Sequence, residues 1–183
     1  MRTDRLRREL GVELELTYFP LHPDTPDAGL DLAEMFGDPR RVEAAHDRLR
    51  KLMAAEGLAF NPSGRTFNSR LAQELGAWAQ TQPDGDAIHD ALYRAVFVHG
   101  RNIAEEQTLL EVVGSVGLDV EVARQVLRER SFRDRVDADW QRSRELGVTG
   151  VPTFVANGYG VVGAQPYEVL AQMVAEARGR GER

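Results

Sequence analysis

A chain of 183 residues without a single cysteine cannot present a thiolate nucleophile, a C-x-x-C redox pair, a thiolate metal ligand or a disulfide. Any chemistry would therefore rest on other side chains. His22 lies in a proline-rich stretch, and His46, His89 and His99 fall on predicted helices. No H-x-x-x-H or H-E-x-x-H spacing occurs, so a zinc site of that kind is not expected. Asp134, Asp137 and Asp139 are spaced like part of a cation loop. Val136, Ala138 and Trp140 interleave them in a helical pattern, with no glycine turn or terminal glutamate, so they read as a helix face. Asp86, His89 and Asp90 read as the solvated face of another helix. Ser63, Ser69, Ser115, Ser131 and Ser143 sit in no G-x-S-x-G elbow. There is no P-loop and no G-x-G-x-x-G. The expectation is no catalytic side chain, no metal ligand and no cofactor-binding residue within this chain.

One stretch remains, Gly147 to Gln165, reading GVTGVPTFVANGYGVVGAQ. Val151-Pro152 opens the short apolar run Thr153-Phe154-Val155-Ala156. Asn157-Gly158 is a hairpin turn signal, and Tyr159 to Val162 reads as the return strand. Gly163 to Pro166 breaks into a last helix. Proline at the first residue of a strand is permitted where its nitrogen owes the ladder no hydrogen bond. A proline placed there is also a candidate for a cis bond. Taken alone, the stretch is equally consistent with an ordinary hairpin.

The elements that would position this hairpin follow from periodicity. Residues 2–10 look like a helix tail closed by Gly11. Val12 to Phe19 alternates apolar and polar, with Val12, Leu14, Leu16 and Tyr18 on one face, which predicts a half-buried strand. Pro20, Pro23 and Pro26 then stop it. From residue 27 to about 145 the pattern is mostly helical. A short helix ends at Gly37, and a longer one begins at Asp38-Pro39 with Val42, Ala45, Leu49, Leu52 and Met53 as its apolar set. Phe60 to Arg65 reads as a loop. Asn68 or Ser69 caps a helix carrying Leu71, Leu75, Trp78 and Ala79. Further helices are predicted over 87–99, with Ile88, Leu92, Ala95, Val96 and Phe97 inward, and over 102–114, 119–130 and 131–146. Trp78 and Trp140 are expected in the core. The last helix covers 168–178, with a frayed polar tail from Gly179.

Composition bounds the class. Apolar residues make up 42% and charged residues 28%, values of a globular protein, and the length suits one core with an inserted subdomain. The balance of 23 basic to 29 acidic residues, a formal charge of −6, argues against non-specific nucleic-acid binding. No run of about 18 apolar residues suggests a membrane span. The opening residues carry no secretory pattern, so a cytoplasmic location is the expectation.

The GVTGVPTF loop, the Gly163-Ala164-Gln165-Pro166 turn and the FPLHPDTP segment at 19–26 together resemble the DsbA family of the thioredoxin superfamily, in particular its FrnE-like subgroup. So do NSRLAQELGAWA at 68–79, FVHGRNI at 97–103 and VDADWQRSRELGVTGVPTFV at 136–155. The resemblance is collinear and covers nearly the whole chain. It implies an α/β, thioredoxin-like (DsbA-like) fold with a large all-helical insertion and its N-terminal strand missing. Residues 1–26 and 146–183 would form the incomplete thioredoxin-like domain, and 27–145 the helical insertion.

The same resemblance implies thiol-disulfide oxidoreduction as the family activity and a cis Val151–Pro152 bond. In the family a strand and a C-x-x-C at the first helix N-terminus precede the matching residues, and neither is present here. Either the start is displaced or shortened, or the product begins at Met1 and is redox-inert. The unpaired sheet edge implies a homo-oligomer as one remedy. Gly150, Val151 and Pro152 would be substrate-binding, the loop backbone pairing with an extended peptide or protein thiol substrate. A non-catalytic binding module is the rival reading. A glutathione-dependent relative, such as 2-hydroxychromene-2-carboxylate isomerase or the kappa-class transferases, is a further one. The GAQP turn disfavours it, and the serine that replaces the first cysteine in those enzymes would lie in the missing segment.

Overall fold

The computed structural model describes residues 2–181. They fall into two compact units, one built from the residues up to 21 together with those from 139 onward, the other from residues 22–138.

The 22–138 unit holds a helical core. Helices α4 (Arg70–Ala79), α5 (Ala87–Phe97), α6 (Glu106–Ser115) and α7 (Val120–Glu129) contribute to it. On α4 the stripe Ala72, Leu75, Trp78 and Ala79 is buried at helical spacing. It meets Ile88 and Ala95 of α5, Leu109, Leu110, Val112 and Val113 of α6, and Ala123, Val126 and Leu127 of α7. Asp119 caps α7, its carboxylate accepting from the Glu121 and Val122 amides at 2.9 and 3.0 Å. Such a cap stabilises a helix by roughly 1 kcal/mol.

Earlier in this unit come β1 (Leu30–Asp31), α2 (Leu32–Phe36), α3 (Pro39–Ala55) and β2 (Arg65–Thr66). Gly37 ends α2 at φ 70°, and Asp38 with Pro39 starts α3 as the sequence predicts. The proline-rich segment is tied down by two asparagines. Asn68 Nδ2 donates to the Thr25 carbonyl at 2.8 Å, and Asn102 Nδ2 to the Asp27 carbonyl at 2.9 Å.

Two features of the unit escape the sequence reading. Arg65, expected in a loop, pairs with Asp31 in the antiparallel β1–β2 bridge. Two-residue strands carry no periodicity to detect. Gly29, just before β1, adopts φ +79°, and a Cβ there would lie 2.6 Å from Phe67 Cδ1 and 2.7 Å from the Thr66 carbonyl oxygen. Gly29→Ala is therefore expected to cost about 2 kcal/mol, from a left-handed backbone and a backbone clash together. A urea midpoint unchanged by this substitution would contradict that.

The other unit contains α1 (Arg2–Leu10), β3 (Thr153–Ala156), β4 (Tyr159–Val162) and α9 (Tyr167–Gly181). Helix α8 (Arg133–Glu145) carries the boundary between the units within its length. Leu6 of α1 is buried, and α9 buries Leu170, Met173, Val174 and Ala177. α9 packs on both strands of the hairpin and on α1.

Val12 to Phe19 is not a strand, because no ladder pairs with it among the described residues. The alternation partly survives, with Val12 and Leu14 half-buried between exposed Gly11, Glu13 and Glu15, but Leu16 is exposed. Side-chain contacts hold the segment instead. Asp139 accepts from the Tyr18 amide at 3.2 Å, and Ser143 Oγ donates to the Tyr18 carbonyl at 3.3 Å. Trp140 is half-buried and lies outside the helical core, unlike Trp78. Leu49, Leu52 and Phe97 face solvent. The C-terminal helix runs through Gly179 to Gly181 where fraying was expected; residues beyond it lie outside the described ones.

Candidate functional site

The hairpin forms as the turn residues dictate. Asn157 at φ 45° and Gly158 at φ 80° both adopt positive values, the requirement of a type I′ turn. The register pairs Thr153 with Val162, Phe154 with Val161, Val155 with Gly160 and Ala156 with Tyr159. Alternation places Phe154, Ala156, Tyr159 and Val161 on one face, and Thr153, Val155, Gly160 and Val162 on the other. Val155 and Val162 of the second face are exposed.

The Val151–Pro152 peptide bond is cis. Its surroundings are braced from three sides. Thr153 Oγ1 donates to the Gly150 carbonyl at 2.6 Å. The Gly163 amide donates to the Pro152 carbonyl at 2.7 Å, tying the loop to the far end of the return strand. Gln165 Nε2 donates to the Val162 carbonyl at 2.6 Å. Val151 differs from its neighbours: the residue is 51% exposed, and its backbone N–H and C=O make no hydrogen bond among the described residues. Among the described residues, β3 pairs on one side only, and an exposed residue with unbonded backbone groups beside such a strand is the arrangement that accepts an added strand.

The GAQP turn is fixed from α1. Arg2 Nη1 donates to the Ala164 and Gln165 carbonyls at 3.1 and 2.9 Å. Arg5 lies 3.6 Å over the Tyr167 ring, and its Nε donates to Glu9 at 2.9 Å. The Tyr167 hydroxyl donates to the other Glu9 oxygen at 2.9 Å. The hydrogen bond from Arg5, then that from Tyr167, holds the Glu9 carboxyl below its ordinary range.

Gly150, Val151 and Pro152, the sequence-predicted binding residues, lie consecutively at the mouth of β3 and are exposed or half-buried. Gly150 and Pro152 each have a carbonyl already occupied, so the free carbonyl belongs to Val151. By sequence pattern Thr153 is only part of an apolar run, and Arg2 only part of a helix tail. A hydroxyl three residues after a loop glycine could have signalled the first. Thr153→Val is expected to remove about 1 kcal/mol of stability and loosen the loop. Thermal unfolding with an unshifted midpoint would rule that brace out.

The four histidines do not assemble. His46 is buried with its ring edge-on to Phe60, 6.3 Å between centroids. His89 lies 3.4 Å from Gln80 Nε2, and burial, partly offset by Asp86, pushes its pKa down. Asp137 takes an ion pair from Arg70 at 2.7 Å, and Asp139 caps the Tyr18 amide. No group of three metal-ligating side chains occurs among the described residues. Among the described residues, no helix is long and apolar enough to cross a membrane.

A hairpin opening on a cis-proline, a closing helix packed on it, and a helical unit interrupting the chain define a thioredoxin-type protein with a helical insertion. Residues 1–175 match the DSBA-like thioredoxin domain, and the chain belongs to that family. A probable DsbA oxidoreductase from Streptomyces coelicolor is 31% identical in sequence, with a TM-score of 0.88 over 97% of this chain and 82% of that one. A 2-hydroxychromene-2-carboxylate isomerase superposes at a TM-score of 0.68 over 98% of this chain and 86% of that one. At 19% identity that likeness is one of fold. The ClpXP adapter protein SpxH of Halalkalibacterium halodurans is 29% identical over 91 residues, 46% of this chain and 30% of that protein. The matched stretch thus spans less than a third of that adapter.

The family resemblance read from the loop, the GAQP turn and the helical motifs is therefore upheld, as is the DsbA-like fold. Within that family, this polypeptide carries no cysteine with which to exchange a disulfide.

Proposed function

We propose that the Val151–Pro152 loop binds an extended peptide segment, and that this polypeptide by itself binds without redox turnover. The observation that carries this is Val151, exposed, whose N–H and C=O make no hydrogen bond among the described residues, beside β3, which pairs among them on one side only. An extended chain laid there exchanges two backbone hydrogen bonds with Val151 and seats a side chain near exposed Val155 or Val162. The absence of a thiol removes the attacking nucleophile of disulfide exchange and leaves the recognition surface intact. The GAQP turn supports placement in the FrnE-like subgroup.

The test uses the full chain and fluorescent oxidised insulin B chain in an anisotropy titration. Binding is expected for the wild type and for Val151→Thr, which keeps the backbone groups. Val151→Pro removes the N–H donor and is expected to weaken binding about tenfold, the loss of one hydrogen bond and its geometry. Equal affinity for Val151→Pro would contradict the proposal. So would dithiothreitol-driven insulin reduction by this cysteine-free chain above the uncatalysed rate.

A further inference from the structure

The turn that closes the hairpin decides which backbone groups of β3 point away from β4. A two-residue type I′ turn puts Ala156 and Tyr159 in a hydrogen-bonded pair, and bonded pairs alternate along an antiparallel ladder. Phe154 with Val161 is the next bonded pair. Pro152 continues the series, its carbonyl accepting from the Gly163 amide at 2.7 Å. Thr153 and Val155 therefore turn their N–H and C=O groups away from β4. Among the described residues β3 pairs with β4 alone, and the Val151 backbone groups are unbonded as well.

This edge lacks the devices that ordinarily keep sheets from pairing with one another, which are charged side chains, proline and bulges. Residues 146–167 contain no charged side chain, in a chain that is 28% charged. Pro152, which has no N–H, falls at a position bonded towards β4, so it takes no donor from the other side. The pairing of β3 with β4 runs without a bulge from Thr153 to Ala156. On the hairpin face that carries Thr153, Val155 and Val162 are 44% and 56% exposed.

We infer that β3 pairs edge to edge with β3 of a second copy of this chain about a two-fold axis, with Thr153 facing itself. In that antiparallel register Val151 of each copy stands opposite Val155 of the other. All three pairs can exchange two N–H···O=C bonds, so the contact is isologous and uses the backbone groups of all three residues. The two valine pairs are cross-strand neighbours on the exposed face and shed water together. A second copy fits because the edge is self-complementary, uncharged on both strands and symmetric in donors and acceptors about Thr153. Three residues per copy make a small contact, at the weak end of specific association, so the dilute chain keeps the edge open. Because the Val151 groups are used, the pairing rests on the peptide-binding reading of that edge, and copy and peptide compete for it.

The chain has no cysteine, so a single introduced thiol reports one contact without interference. Paired residues on neighbouring strands lie within disulfide reach, whereas Val162 and its symmetry mate would be three strand spacings, about 14 Å, apart. Under diamide oxidation of the full chain, Thr153→Cys is expected to form a disulfide-linked dimer at least about tenfold faster than Val162→Cys. Random collision would give the opposite order, because Thr153 is half-buried and Val162 is exposed. Wild-type sedimentation equilibrium should show a mass rising from 20.4 kDa towards twice that as concentration approaches about 1 mM. Equal or faster cross-linking of Val162→Cys, or a monomer mass throughout, would overturn the pairing. Excess oxidised insulin B chain should slow the Thr153→Cys reaction. Fast cross-linking that the B chain leaves unchanged would support the pairing and count against the peptide reading. A B chain that binds at the Val151 amide of a chain that stays monomeric would do the reverse.

Discussion

Trp78→Ala is expected to lower the unfolding free energy by about 4 kcal/mol, within the range for deleting a fully packed aromatic side chain. Trp78 is 3% exposed and lies in the cluster where α4 meets α5, α6 and α7. Removing it takes away the apolar transfer term and leaves a cavity that four helices cannot close without unpacking one another. A domain of this kind has only about 5–15 kcal/mol in hand. The variant should therefore unfold at a much lower urea concentration with a similar m value. Far-ultraviolet circular dichroism is the appropriate probe, since the substitution removes a fluorophore. Trp78→Phe, which keeps most of the contacts, should cost well under half as much. A loss below about 1 kcal/mol for the alanine variant would mean the core is not packed around this residue.

The second large effect concerns Glu74, which is 1% exposed yet charged. Arg130 clasps it with Nε on Oε2 and Nη2 on Oε1, both at 2.7 Å, and Arg70 Nε donates to Oε1 at 2.6 Å. Arg70 in turn reaches Asp137 at 2.7 Å and the Arg133 carbonyl at 2.9 Å. The cluster thus fastens α4 to the end of α7 and the start of α8. Glu74→Ala is expected to cost about 3 kcal/mol, the lower end for breaking a buried pair, because Arg130 keeps partial access to water. Arg130→Met should cost less, since Arg70 still neutralises the carboxylate.

The sign of the pH dependence follows from the same geometry. Burial raises the Glu74 pKa, but the hydrogen bonds from Arg130 and Arg70 outweigh it, so the folded value lies below the ordinary 4.5. A depressed folded value means that the contribution is fully present above 4.5 and is lost as pH falls through the folded pKa. Wild type minus Glu74→Gln, measured by urea unfolding, should therefore be flat above about pH 5 and shrink on acidification. A difference that grows as pH falls would contradict the cluster.

Much of this architecture was legible because it rests on local rules. Asp38-Pro39, Asp119, Gly37 and Asn157-Gly158 mark element ends through capping and backbone preference, and each does so in the structure. The hairpin around Val151–Pro152 was legible from its turn residues, whereas the cis bond was implied only by the family resemblance. What escaped depends on partners distant in sequence. Whether Val12 to Phe19 is a strand is decided by a ladder, which alternation does not supply. Glu74 lies three residues after Leu71 and four before Trp78, so its burial was signalled by an acid on an apolar stripe. The arginine that neutralises it from 56 positions away was not. The two exposed leucines of α3 show the converse, since an amphipathic pattern records an apolar strip without recording what covers it.

The most direct measurement of the central claim is the backbone amide of Val151 in an isotope-labelled sample of the full chain titrated with oxidised insulin B chain. A saturable shift and slowed solvent exchange are expected at the Val151 amide, with smaller shifts at Gly150 and along β3. Shifts confined to the 22–138 unit, with the Val151 amide unmoved and still exchanging freely at saturation, would contradict it.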